Sequence, residues 1–213
     1  MPSDQTVAAF DFDGTITTQD SLKSFIRHTV GRTRFALAVA AALPWLIGVP
    51  LGLTDRGSAK ARFLRHALHG VSVGALQSAA ERFCSTRLLE IVRPEMLVRI
   101  RDHQSLGHTV VIVSASPSLY LEIWARTHDI DTVLSTELEI GERGFSGRLL
   151  SANCWGPEKV RRLTRWWNSM PPSTLYVYGD SRGDRDMAAI ATFAWIRGER
   201  QLPALANWTQ TSR

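Results

Sequence analysis

The stretch VAAFDFDGT, residues 7–15, decides the fold. Val7 to Phe10 form a short apolar run that stops abruptly at Asp11, which reads as a buried strand delivering a loop. In an extended segment Asp11 and Asp13 point the same way, with Phe12 turned into the core. Two exposed carboxylates so close repel each other unless a cation or a proton lies between them. A hard, oxygen-loving ion such as Mg²⁺ suits that place, because it takes one or two carboxylates, waters and substrate phosphate. Standing alone, the same residues are a common turn after a strand.

Outward from this strand, residues 19–30 have helical spacing, and residues 35–53 (FALAVAAALPWLIGVPLGL) carry no charge. Residues 58–69 and 71–91 are again helical, with Leu76, Ala80 and Phe83 along one face. Pro94 opens a helix that Gly107 stops. TVVIV at 109–113 is a strand, followed by Ser114-Ala115-Ser116-Pro117 and a helix to about residue 128. Residues 131–138 predict a strand, 141–147 a hairpin turn, and 157–167 a helix begun by Pro157. LYVY at 175–178 is a strand ending in Gly179-Asp180-Ser181, a helix starts near Asp184, and 194–196 is a last strand. Apolar strands alternating with helices predict an α/β fold, a Rossmann-like parallel sheet with helices on both faces. The helices of residues 19–91 read as a cap inserted after the first strand, the core being residues 1–18 and 92–213.

In parallel sheets of this kind ligands bind beyond the carboxyl ends of the strands. Three such ends carry reactive residues: Asp11 and Asp13, Ser114, and Asp180 with Asp184. Ser114 is placed to hold a phosphate oxygen with nearby backbone N–H groups. Lys159, one turn into the helix begun by Pro157, offers a fixed positive charge. Each residue alone has a bland reading, as a helix cap, a solvated lysine or a turn residue; the ordered set of four rarely arises by chance.

The set resembles the haloacid dehalogenase superfamily of phosphatases, and the resemblance covers essentially the whole chain. It implies that Asp11 is a nucleophile forming an aspartyl-phosphate and Asp13 the general acid and base, its carbonyl also reaching the metal. Gly14 shapes the loop. Thr15, Asp20, Ser114 and Ala115 are the implied substrate contacts, with Ser114 the phosphate-binding hydroxyl. Lys159 neutralises nucleophile and phosphoryl oxygens. Asp11, Asp13, Asp180 and Asp184 form the implied Mg²⁺ set, Asp184 acting through water or by steadying Lys159. Asp186 fits no motif position and reads as a helix N-terminal charge. The cap position resembles the phosphoserine phosphatase-like branch, but that branch has Ser-Gly-Gly where this chain has Ser114-Ala115-Ser116, which argues against phosphoserine. Residues 153–160 (NCWGPEKV) and the apolar cap segment are more similar to the phosphatidylglycerophosphatase C family, which removes the terminal phosphate from phosphatidylglycerophosphate.

Residues 35–53 are about long enough for one membrane crossing, at roughly 20 residues per span. One crossing would put Asp11 and Lys159 on opposite sides of the bilayer, although both must meet one phosphate. Pro44 and Pro50 predict short pieces instead. Arg32 and Arg34 before the segment, and Arg56, Lys60 and Arg62 after it, give no orientation signal. They suit an element lying in the interface against anionic headgroups. A buried helix pair in the cap is the alternative.

A net charge of +5 suits an anionic partner. No zinc-type spacing, RNA-binding aromatic motif or long basic run favours nucleic acid, and no protein partner is implied. Cys84 and Cys154, far apart, fit a reducing compartment, and the first ten residues lack a signal-peptide pattern. The expected place is the cytoplasmic face of a bacterial inner membrane, or the cytoplasm if the protein is soluble. Three functions stay open: a lipid phosphate phosphatase, a soluble small-metabolite phosphatase, and a phosphate-binding module without turnover.

Overall fold

The computed structural model describes residues 3–205 apart from 131, 143, 169, 200 and 203. Five strands form one parallel sheet: β1 (Ser3–Phe10), β2 (Thr109–Pro117), β3 (Thr132–Thr136), β6 (Pro172–Gly179) and β7 (Phe193–Ile196), in the order β3-β2-β1-β6-β7. Period-two alternation sorts their side chains. Ala8, Phe10, Val110 and Ile112 face one core, shared with Met96 and Ile100 of α4 (Pro94–Ser105) and Leu121 and Trp124 of α5 (Ser118–Arg126). Val7, Ala9, Val111 and Val113 face the other, with Leu163 of α6 (Pro157–Trp167) and Met187 of α7 (Arg185–Ala189). Helices therefore cover both faces, as the runs of apolar strand residues predict.

Between β1 and β2 the chain makes three helices, α1 (Ser21–Gly48), α2 (Arg56–Leu68) and α3 (Val73–Ser85). It leaves and returns side by side: Thr18 N donates to Ile91 O at 2.7 Å, and Arg93 N to Ile16 O at 2.8 Å. Phe25 of α1 and Phe83 of α3 pack on Tyr120 of α5, which seats this layer over the sheet edge. Asp20, Asp55 and Ser72 cap the three helices, each accepting a backbone N–H three residues on.

Several expectations are corrected. Pro44 does not break residues 35–53 as expected, although the helix does end at Gly48, two residues before Pro50. One helix runs from Ser21 to Gly48, interrupted at Gly31, whose φ of 77° a glycine adopts without strain. Pro44 lies inside it and cannot donate the N–H bond to the Ala40 carbonyl. Nor is the segment a buried pair. Leu37 is 66% exposed, Ile47 51% and Leu53 80%, while small Ala38 and Ala42 make the inward contacts. By length and composition α1 is able to cross a membrane, its most apolar window having a mean hydropathy of 1.3 with 11% buried. The helix expected over 71–91 ends at Ser85, where the Thr86 hydroxyl takes the Arg82 carbonyl at 2.6 Å. The strand expected over 131–138 is two, β3 and then β4 (Leu138–Gly141), residue 131 lying outside the described residues. β4 pairs antiparallel with β5 (Gly144–Leu149), so the hairpin turn is tighter than 141–147 and Gly147 belongs to a strand.

Candidate active site

Strand order reverses at β1, whose neighbours are β2 and β6, so the crevice expected of such sheets opens beyond their carboxyl ends. Register brings the motifs together there. Phe10 pairs with Ile112 and with Tyr178, so Asp11 and Asp180 leave the sheet at the end where Ser114 of β2 pairs with Ser135 of β3. Asp11 N donates to Tyr178 O at 2.9 Å, which fixes the first carboxylate against β6.

Oxygens of Asp11, Asp180 and Asp184 lie within 4.8 Å of one another. Gly14 makes this approach possible: its φ is 82°, and a Cβ there would stand 2.0 Å from Asp180 Oδ2. Asp184 is buried and fixed by a capping box, its Oδ2 accepting from Ser181 N at 3.0 Å and Asp180 N at 3.2 Å. Lys159, the third residue of α6 and 2% exposed, donates to Asp11 Oδ1 at 2.5 Å and Asp184 Oδ1 at 2.6 Å.

One ammonium does not satisfy two carboxylates. Burial pushes the Lys159 amine down, but Asp11 and Asp184 outweigh it and hold the amine above the usual lysine range. Burial also opposes the Asp184 charge, yet Lys159 and the backbone N–H donors keep its carboxyl below the usual range. Asp11 is left with the deficit. Burial pushes its carboxyl up to about 8, with Asp184 and Asp13 repelling and Lys159 opposing. Burial, with Asp184 repelling, lifts Asp180 to about 6. A hard divalent cation fits this all-oxygen set, because it supplies the positive charge that Lys159 alone does not.

Asp13 stands outside that group of three. Its side chain turns toward the inserted helices, where Ser21 N donates to Oδ1 at 2.6 Å and the Ser116 hydroxyl to Oδ2. Burial, then Asp20, pushes its carboxyl up, against the hydrogen bonds from those two serines. Thr15 is buried and donates to Asp11 Oδ2 at 3.2 Å rather than facing a cavity. Ser114 is fully buried inside β2, which continues to Pro117 rather than stopping at the expected Val113, and accepts from Ser116 N at 3.1 Å. Asp20 caps α1, pairs with Lys23 at 3.2 Å and borders a cavity that also touches Ala115. Both cysteines are buried and free.

Sequence reading missed Lys60. Its Nζ donates to Ala115 O and to Asn153 Oδ1, each at 2.6 Å, so α2 reaches the residue after Ser114. The signal was present: Lys60 lies three and four residues before Phe63 and Leu64, on the helix face that is buried.

The chain belongs to the haloacid dehalogenase-like hydrolase family, whose model matches residues 8–189. Protein CicA of Caulobacter vibrioides (strain NA1000 / CB15N) is 33% identical over 205 residues, covering 96% of this chain and 91% of that protein. Among solved structures, a protein of unknown function from Bordetella pertussis Tohama I superposes with a TM-score of 0.78 at 20% identity, over 90% of this chain and 89% of that one. A probable phosphoserine phosphatase from Vibrio cholerae gives 0.68 at 15%, over 90% of this chain and 55% of that one. At these identities the structures share the fold.

Proposed function

We propose that the protein is a Mg²⁺-dependent phosphomonoester hydrolase that works through an aspartyl-phosphate on Asp11. The carrying observation is a single ammonium, Lys159, between Asp11 and Asp184, two of the three carboxylates that meet with Asp180 at one sheet end. The Asp11 carboxylate attacks phosphorus as the bond to the leaving oxygen breaks, and Asp13 gives that oxygen its proton. Ser114 and the backbone beside it hold the phosphoryl oxygens, and Lys159 offsets their charge. Asp13, now ionised, takes a proton from water, whose oxygen attacks phosphorus and breaks the bond to Asp11, releasing phosphate. Asp11, Asp180 and the Asp13 carbonyl would hold Mg²⁺, with Asp184 behind them; the ion supplies charge neutralisation for the nucleophile and the phosphoryl group. The cap boundaries at 18/19 and 91/92 fit the paired crossing of the two chain segments.

Dialysis against EDTA is expected to remove activity, Mg²⁺ to restore it and Ca²⁺ to inhibit, because calcium's longer bonds and higher coordination number misplace Asp11. Full turnover of an aryl phosphate after exhaustive EDTA treatment would refute the metal assignment.

The substrate reading is a lipid phosphate such as phosphatidylglycerophosphate, at the cytoplasmic face of a bacterial inner membrane. It is supported by the exposed Leu37, Leu43, Ile47, Leu51 and Leu53 on and just after α1. Exposed apolar groups this concentrated mark an interaction surface. A full crossing by α1 fits poorly, since Asp20 at its start and Lys60 of α2 after it both border the site cavity. The α1–α2 turn is better placed to dip into the interface, where each buried methylene adds about 0.8 kcal/mol. Changing Leu43, Ile47 and Leu51 to serine should release the protein from anionic vesicles in a flotation assay. It should also lower the ratio of vesicle to soluble-ester hydrolysis by about tenfold or more, from the lost burial. Unaltered parent protein that never floats would end the lipid reading and favour a soluble small-metabolite phosphatase.

A further inference from the structure

A cavity of about 480 Å³ opens on the outer side of Ala115, the residue after the phosphate-holding Ser114. Its apolar wall is Leu46, Val49, Pro50 and Phe63, and its polar side carries Lys60, Arg56 and Lys23, with one carboxylate, Asp20, which pairs with Lys23 at 3.2 Å. The Lys60 ammonium is tied to two acceptors that are both uncharged, Ala115 O and Asn153 Oδ1. No carboxylate among the described residues forms an ion pair with it. Burial accordingly pushes its amine down to about 8, with Asp13 and then Asp20 pulling it back up. An ammonium has three N–H donors, so one remains to give to a ligand. Arg56, four residues earlier on the same helix, lies with its guanidinium 4.4 Å from the Trp155 ring centroid and forms no ion pair among the described residues.

A lysine that merely latched the inserted helices to the sheet layer would need only hydrogen bonding, which a neutral amide supplies. Putting a cation in a half-buried corner with no carboxylate in contact, Asp13 and Asp20 acting on it only from a distance, is unfavourable unless an anion arrives. We propose that Lys60, with Arg56 beside it, receives a second anionic group of the substrate while the substrate's apolar body lies along Leu46, Val49, Pro50 and Phe63. The substrate class is then a phosphomonoester that carries a further anion, a phosphodiester or a carboxylate, within a few bonds of the phosphoryl group removed. This inference rests on the phosphatase reading and narrows it.

The test is steady-state kinetics of parent, Lys60→Gln and Lys60→Arg proteins on three soluble probes. These are p-nitrophenyl phosphate, which has no second anion; 3-phosphoglycerate, which has a carboxylate; and a dihexanoyl phosphatidylglycerophosphate, which has a phosphodiester. The parent should prefer one doubly anionic probe, and which one it prefers names the anion. For that probe Lys60→Gln should lower kcat/KM relative to the aryl phosphate by about 30-fold, mostly through KM, and Lys60→Arg should recover most of the loss; a charge-assisted contact has that size. An equal loss on all probes, or recovery by Gln and not by Arg, would show a latch and overturn the proposal. If the parent hydrolyses none of them, it is the phosphatase reading that has failed. Calorimetric titration of the phosphatidylglycerophosphate probe then decides the Lys60 assignment by itself: weaker binding to Lys60→Gln than to parent supports it, and equal binding overturns it.

Discussion

Asp11→Asn protein should fold normally and turn over phosphate esters about 10⁴-fold or more slowly than the parent, the loss typical when a nucleophile is removed. The amide matches the carboxylate in shape but is a poor nucleophile, and no other carboxylate takes its place. Asp180 packs against Gly14, Asp184 is held by its capping box, and Asp13 turns toward Ser21 and Ser116. Stability should not fall with activity. The folded carboxyl of Asp11 is pushed up to about 8, so ionising it favours the unfolded state increasingly as pH rises from about 4 toward 8. Asparagine lacks that titration, so in EDTA the variant should be at least as stable as the parent above pH 7, read by urea unfolding. Asp11→Asn protein that keeps turnover within tenfold, or a trapped phosphoryl group found by mass spectrometry on another residue, would sink the mechanism.

Asp11 and Asp180 were legible because each follows directly on the end of a strand. An apolar run that stops at a carboxylate says both where the strand ends and what it delivers, as Phe10-Asp11 and Gly179-Asp180 do. Parallel pairing then brings Asp11, Ser114 and Asp180 to one end without further information. Helix continuity was not legible in the same way. Pro44 ordinarily breaks a helix, yet α1 continues past it at the loss of one N–H bond, and the break falls at Gly31 instead. Residues 35–53 carry no charge, so sequence alone left their burial open; contacts settle it, by turning Ala38 and Ala42 inward and the leucines out. Lys60 was missed for a related reason. A charged residue on a helix is first read as solvated, and only the position of α2 over Ala115 shows that it is not.

Replacing Lys159 by methionine should cost activity and stability together, and the two should respond differently to Mg²⁺. Methionine fills the space left by the stem in α6 but leaves Asp11 and Asp184 facing each other in a buried place. Removing one partner of a buried ion pair typically destabilises by about 3–5 kcal/mol, and that is the expected deficit near neutral pH in EDTA. The dependence on pH follows from the directions of the shifts. In the parent the Asp184 carboxyl is depressed by Lys159, so its contribution is present above the unfolded pKa near 4 and is lost as pH falls through the lower folded value. In the variant both carboxyls lose their cation and rise, so the destabilisation grows as pH climbs above about 4. The gap between parent and variant should therefore widen from pH 4 to pH 8. Saturating Mg²⁺ should narrow the gap, because a divalent ion neutralises the same oxygens. It should leave turnover depressed by about 10³-fold, the scale of losing a preorganised charge at the transition state. Denaturant unfolding at three pH values, with and without Mg²⁺, measures this. A Lys159→Met protein as stable as the parent in EDTA across that range would mean that the ammonium is not what holds the two carboxylates together.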